Sequence, residues 1–431
     1  MEPSLGPITL QGPGWIESCA FRSMHVSEHL GALFQYELEL LSDEPNHDPK
    51  AILGLPMTVA IQLGETGTRY FNGYVASLVS RGATGNHFLY GLTLRPWPWL
   101  LSRTTNCRIF QKSTVPDIVK KIFRDHGFSD FSESLNGTYE PREFVVQYRE
   151  TDLTFVLRLL ESEGIYFYFE HDAGKHTLVL CDSPSAHDPT PFYSELQYFP
   201  PDRQRREHFD HVDGWHMVQG VEPGVYALKD YDFEQPKAPL LATKNVAPAH
   251  EQGSFEIFDF PGGHKQVAQG ERIAQIRLEE LQATRSHALG ESNARGLLVG
   301  SLFKLSEFPI EAHNRDYLVV SLDASISTHS LESGAATEGE LFRCRFSCIP
   351  SDVQFRPARV TAKPIMQGVQ TATIVGKAGE EIWTDEYARV KIKFPWDRYV
   401  PKEEENASCW VRVAQLWAGS SFGGIHVPRI G

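Results

Sequence analysis

Four groups of residues are of types that could do chemistry. Gly419-Ser420-Ser421-Phe422-Gly423 fits the G-x-S-x-G pattern. In a nucleophile elbow that serine sits on a sharp strand-to-helix turn above an α/β sheet. Here the motif lies in a β-patterned block with no helical periodicity after it, so a glycine-rich β-turn is the stronger reading. Ser301-Leu302-Phe303-Lys304 matches S-x-x-K, but the other elements of a β-lactamase-type site are missing in order and context. That segment reads as a strand. His208, His211 and His216 cluster with Asp210 and Asp213, and imidazole and carboxylate are suitable metal donors. Their spacing fits neither a helical i, i+4 pair nor a zinc finger, which favours surface or interface histidines. Glu161 and Glu163 could supply paired carboxyls for glycoside cleavage, yet residues two apart on a helix do not face each other. No phosphate-binding glycine loop with its lysine and no G-x-G-x-x-G is present. The expectation is therefore no catalytic, cofactor-binding or metal-ligating residue, and no cofactor.

Six cysteines, Cys19, Cys107, Cys181, Cys344, Cys348 and Cys409, are scattered through 431 residues. They form neither a disulfide framework nor a zinc set, and read as small buried hydrophobes. A formal charge of −14 excludes a chain-wide nucleic-acid footprint and favours solubility. No run is long and apolar enough for a membrane helix. The N-terminus lacks a basic-then-apolar secretory signal, which implies synthesis in the cytoplasm.

Positioning elements follow from periodicity. Phe34–Leu40 and Val59–Leu63 alternate apolar and polar, as half-buried strands do. Val115, Ile118, Val119, Ile122 and Phe123 share a helix face. Thr114 and Asp117 form a capping-box-like start, and Gly127 a stop. A second helix is expected from about 152 to 162, with Leu153, Val156, Leu157 and Leu160 inward and Gly164 ending it. The run Ile165–Phe169 reads as a strand buried on both faces. A third helix is expected near 265–283, with Gly270 as its weak point.

The chain divides, on composition, into a β-rich block with helical insertions (5–182), a connector (183–207) and a second β-rich block (208–355). A Pro-rich linker (356–370) and a last β block (371–431) follow. In that last block Arg389–Phe394 and Cys409–Val413 alternate in the manner of a small OB-type barrel. The stripe Arg389, Lys391, Lys393 reads as a solvated barrel face rather than a nucleic-acid site. Lys402–Asn406 reads as a loop. Trp97–Leu101 and Ile165–Phe169 read as core or subunit contact. No internal sequence repeat is visible.

Four segments together resemble VgrG, the spike-protein family of bacterial type VI secretion. They are Pro96-Trp97-Pro98-Trp99-Leu100-Leu101 with Cys107–Gln111 and the following helix; Phe144–Tyr148 through Thr151–Phe155 to Glu163–Phe167; Gly368–Ala372; and Thr384–Lys391 with Phe394-Pro395-Trp396-Asp397-Arg398, running on to Cys409–Ala414 and Pro428–Gly431. The order matches over nearly the whole chain. Ala388, Val369, Phe422 and Phe308 depart from the family's usual Gly, Pro, Trp and His.

The resemblance implies a mainly β fold: tandem phage-hub-like β-barrels, then an OB-fold-like barrel that opens a spike. It implies a homotrimer seated on the hexameric Hcp tube, with a PAAR-type tip protein, effectors or adaptors, and baseplate proteins as further partners. It also implies delivery by contraction rather than catalysis, export by type VI secretion, and a family needle continuing past the point where this sequence stops. A phage-like tail hub, or a carrier of a catalytic domain past residue 431, is the competing expectation.

Overall fold

A computed structural model describes residues 8–63, 67–193, 195–200, 209–246, 251–283, 285–328, 342–399 and 404–431. Its contacts divide the chain into two compact units. Unit 1 comprises Met1–Trp99, Ser129–Gly137 and Glu161–Ala358; unit 2 comprises Leu100–Phe128, Thr138–Leu160 and Arg359–Gly431.

The strands in chain order are β1 (Ile8–Gln11), β2 (Ala20–His29), β3 (Gln35–Ser42), β4 (Pro56–Gln62), β5 (Thr68–Thr84), β6 (His87–Arg95), β7 (Thr105–Ser113) and β8 (Phe131–Ser134). Then come β9 (Arg142–Thr151), β10 (Tyr166–Asp172), β11 (Lys175–Cys181), β12 (Glu195–Gln197), β13 (Val212–Gln219), β14 (Val225–Lys229), β15 (Leu241–Asn245) and β16 (Glu256–Asp259). The last are β17 (Ser286–Ser292), β18 (Leu302–Ser306), β19 (Asp316–Ser327), β20 (Phe342–Pro350), β21 (Thr373–Val375), β22 (Lys391–Lys393), β23 (Trp417–Gly419) and β24 (Phe422–Gly424). The α-helices are α1 (Val115–Asp125), α2 (Asp152–Glu163) and α3 (Val267–Gln282). The fold is thus mainly β with few helices.

Unit 1 is built on one 12-stranded sheet of order β1-β4-β5-β6-β3-β2-β19-β20-β17-β13, with β18 also on β19 and β12 on β18. Alternation does the local work: Tyr36, Leu38 and Leu40 of β3 are buried between more exposed neighbours. The centre of the sheet is an antiparallel seam in which Ser23–His29 pair with Ser327–Ser321. Reading outward, each side repeats one plan. First comes the sequence-adjacent strand, β3 or β20, then β6 or β17, then β5 or β13, all antiparallel. Each side also carries a register shift in its first pair from the seam, β2/β3 or β19/β20, and another in its third pair, β5/β6 or β13/β17, and the first side alone continues outward to β4 and β1. A topological repeat therefore exists where the sequence shows none. The core cluster of the unit draws on both sides, from Met24, Val26 and Phe34 to Phe303, Leu322 and Phe346.

The third helix forms as its periodicity predicts, but Gly270 is not a defect in it. A Cβ there would lie 2.7 Å from the Ala242 Cβ and 2.7 Å from His264 Nε2. The glycine lets α3 close on β15, and Ala242, Ala274 and Leu278 form a small core there. Gly164 ends α2 at φ 70°, and a Cβ at that position would meet Ile276 of α3 at 2.6 Å. In β10, Tyr166 and Phe167 are buried, while Tyr168 and Phe169 are only half-buried. Ala186, His187, Thr190 and Leu196, from the Pro- and Ser-rich segment after β11, are buried.

Unit 2 holds the β7–β9 ribbon, α1 and the first part of α2. Thr114 Oγ1 accepts from Asp117 N–H, Val115 and Pro116 open the helix, and Gly127 follows it at φ 81°. Phe110 of β7 stacks on Phe155 of α2 at 5.6 Å. Among the described residues of the last block only short pairs form, β21 with β22 and β23 with β24, plus a single bridge Val390–Val411. The longer strands expected over Arg389–Phe394 and Cys409–Val413 shrink accordingly. Among the described residues of that block only Val375, Val390 and Ala407 are buried hydrophobics, and strands extend where they have an apolar face to bury.

Candidate functional site

The residues singled out by type are dispersed and occupied. Ser420 and Ser421 are the two turn residues of the β23–β24 hairpin, Ser421 at φ 64°. The turn joins two strands, not a strand and a helix as in a nucleophile elbow. Ser301 Oγ donates to Leu298 O at 2.8 Å, and Lys304 lies 3.7 Å from Glu195. His208 lies outside the described residues. His211 bonds the Phe209 carbonyl at 2.8 Å, and His216 is exposed. Asp210 faces Arg295, and Asp213 binds Arg343 at 2.5 and 2.7 Å. Among the described residues no group of three or more His, Cys, Asp or Glu side chains is arranged to hold a metal. Glu163 pairs with Arg272 at 2.9 Å, and Glu161 is buried.

The six cysteines are unbridged, and burial pushes the Cys181, Cys344 and Cys348 thiols up, Cys344 to about 12. Those three buried thiols are not thiolates at neutral pH. Arg389 is paired with Asp385, and Lys391 donates to Ser408 O at 2.6 Å. Two of the three stripe cations are therefore committed within their own unit. Lys402 lies outside the described residues, and Glu404–Asn406 form a 3-10 turn. Trp97 and Leu101 are core residues.

What the structure does assemble is a buried polar cluster in unit 1. Tyr36 O–H donates to Glu28 Oε1 at 2.6 Å. His171 Nδ1 accepts from Asn72 N–H at 3.1 Å, so the neutral ring carries its proton on Nε2 and donates to Tyr36 Oη at 3.1 Å. His176 Nε2 accepts from Trp97 N–H at 2.9 Å, so Nδ1–H donates to Asn72 Oδ1 at 2.7 Å. Asn72 Nδ2 closes the chain on Met57 O and Thr58 Oγ1. Burial holds both imidazoles neutral. His171 is well below its ordinary range, through burial first and then His176 and Arg69, and His176 falls to about 3. Both nitrogens of each ring are consumed, which leaves no lone pair for a metal or a substrate proton. A satisfied network of this kind fixes one packing of the strands.

Unit 2 has its counterpart. Arg108 donates to Gln147 Oε1 and Asp152 Oδ1, each at 2.8 Å, and His126 bonds the other Asp152 oxygen at 2.7 Å. Gln147 Nε2 also donates to Asp152 at 2.6 Å. The block from residue 359 onward is fastened within the same unit. Arg398 donates to Asn106 Oδ1, Asn106 to Tyr399 Oη, and Trp396 packs edge-on to Tyr148 at 5.7 Å. Sequence reading missed these groups. Their one signal is a polar residue in the inward phase of an alternating strand: Glu28 with Met24 and Val26, His176 with Leu178 and Leu180, Arg69 with Phe71.

The family model of the phage tail baseplate hub (GPD) matches residues 27–330. The chain belongs to the phage tail baseplate hub family. Within it, the hub chain groups with the VgrG spikes. It is 43% identical over 424 residues to the type VI secretion system spike protein VgrG1b of Pseudomonas aeruginosa, covering 98% of this chain and 57% of that protein. It is also 43% identical to VgrG1c of the same organism, covering 100% and 58%. The chain thus spans under two thirds of the length of these curated relatives. In fold it is similar to an E. coli type VI secretion component that itself resembles the T4 bacteriophage tail proteins gp27 and gp5 (TM-score 0.69, 22% identity, 94% of this chain and 93% of that one). It is also similar to a prophage MuSo2 tail protein of Shewanella oneidensis (TM-score 0.55, 14% identity, 80% and 99%). Among the described residues of the hub chain no helix is long and apolar enough to cross a membrane.

Proposed function

We propose that this chain is the hub and spike base of a type VI secretion apparatus, a load-bearing homotrimer that caps the Hcp tube and acts without catalysis. The observation that carries the reading is the doubled plan of the 12-stranded sheet, two like sides about the β2/β19 seam. Three chains then present six like lobes, and a threefold object can seat on a sixfold ring by pseudo-repetition. The two sides are the proposed tandem barrels, and residues 371–431 the base of an OB-type barrel. Curling of the first side is supported by Glu28 and Arg69. β2 and β5 are separated by β3 and β6, about 14 Å apart if the sheet were flat, yet these side chains approach to 3.8 Å. Delivery of effectors, a PAAR-type tip, baseplate contacts and export by the same apparatus belong to this reading through the VgrG likeness. The G-x-S-x-G hairpin and the two buried imidazoles of unit 1, whose ring nitrogens are all engaged, support a non-enzymatic role.

The test is the mass of the chain alone and mixed with preformed Hcp hexamers, by light scattering over a concentration series. Three copies per ring is the expected stoichiometry. A chain that stays monomeric and leaves the rings bare at micromolar concentration would overturn the reading.

A further inference from the structure

Beneath the turn from β2 to β3 lies a recess of about 30 Å³, bounded by Glu28, Phe34, Arg69, Phe169, His171 and Val299. It sits where both sides of the large sheet and β10 meet. Arg69 is 2% exposed. Its Nη1 donates to Arg295 O at 2.7 Å, and its guanidinium lies 4.4 Å from the centre of the Phe71 ring. Its Nη2, in contrast, is buried with no hydrogen-bond partner. The nearest acceptor is Glu28 Oε2 at 3.8 Å, too far for a direct hydrogen bond. Glu28 Oε1 is already engaged by Tyr36.

We infer that this recess is an internal hydration site, in which one water accepts from Arg69 Nη2 and donates to Glu28 Oε2. Size, charge and geometry agree on the occupant. A water needs about 10–15 Å³ of space open to its centre, and the recess offers about 30 Å³ by that measure, enough for the bridging water. A 3.8 Å separation is within the span of a single bridging water. The formal charges of Arg69 and Glu28 cancel and both imidazoles are neutral, so an anion gains no net positive field and meets the Glu28 carboxylate. An apolar filling leaves a charged N–H buried and unpaired, which costs more than a water does. The water turns a stretched ion pair into a hydrogen-bonded link between β2 and β5, and through Arg295 to the opposite side of the sheet.

The experiment is a crystal structure of the full chain at a resolution that shows ordered water, with a parallel bromide soak. The expected result is density within hydrogen-bonding distance of both Arg69 Nη2 and Glu28 Oε2, with no anomalous signal. A dry recess, or a halide peak there, overturns the inference. Val299→Leu gives an independent reading by filling the recess. Expulsion of a bound water would lower the unfolding midpoint by a few degrees. A raised midpoint would mean that the recess is dry, against the inference.

Discussion

Acid should loosen this protein well before its carboxylates are titrated. His171 and His176 are neutral when folded and free to protonate when unfolded. Below an unfolded pKa of about 6.5 the unfolded state therefore binds more protons, and stability falls as pH falls. It is fully present above that pKa, and for His176 the loss continues until pH approaches the folded value of about 3. His176 contributes a slope of about 1.4 kcal/mol per pH unit, so at about pH 5 it has cost about 2 kcal/mol, and His171 acts with the same sign. Burial also lowers His187, which adds in the same direction. The assay is urea unfolding followed by tryptophan fluorescence from about pH 7.5 down to pH 5, on the chain and on His176→Gln. Glutamine can accept from Trp97 N–H and donate to Asn72, yet does not titrate. The variant should lose about one proton from the slope. A flat profile in the parent, or an unchanged slope in the variant, refutes the account of the cluster.

Two further outcomes follow from the packing. Gly270→Ala would gain about 1 kcal/mol on helix propensity alone, but its Cβ would meet Ala242 and His264 at 2.7 Å. We expect a net loss of about 1–3 kcal/mol in urea unfolding, and a gain would show that α3 can shift away from β15. Arg108→Met leaves the Asp152 carboxylate, 1% exposed, without its cation, at a cost of about 3–5 kcal/mol. Adding Asp152→Asn to that variant should recover part of the loss by circular-dichroism melting, because the uncompensated charge is then removed.

Local rules were sufficient for several elements, though not for the strands of the last block. The alternation of Phe34–Leu40, the five inward residues of α1 and the caps Thr114 and Gly127 act over a few residues, and each appears in the structure as the sequence implies. The β pattern around Ser420 also implies a turn, and Ser420 and Ser421 lie on the β23–β24 hairpin. The sequence likewise carried the VgrG likeness, since residue order along nearly the whole chain is preserved in it.

Two features were decided only in three dimensions. One is the doubled sheet. Its seam joins β2 to β19, and Arg69 reaches a carbonyl 226 positions away. Pairing across such distances rests on backbone hydrogen bonds, which every residue but proline can make alike, so the choice of partner strand is not written in the residue types. The other is the polar cluster. Glu28, Arg69, His171 and His176 each look misplaced in an inward phase, and only the strand that brings the partner makes burial affordable. The sign of Gly270 changed for the same reason. Alone in a helix it is a weakness, but against Ala242 and His264 it is the space that lets two elements touch.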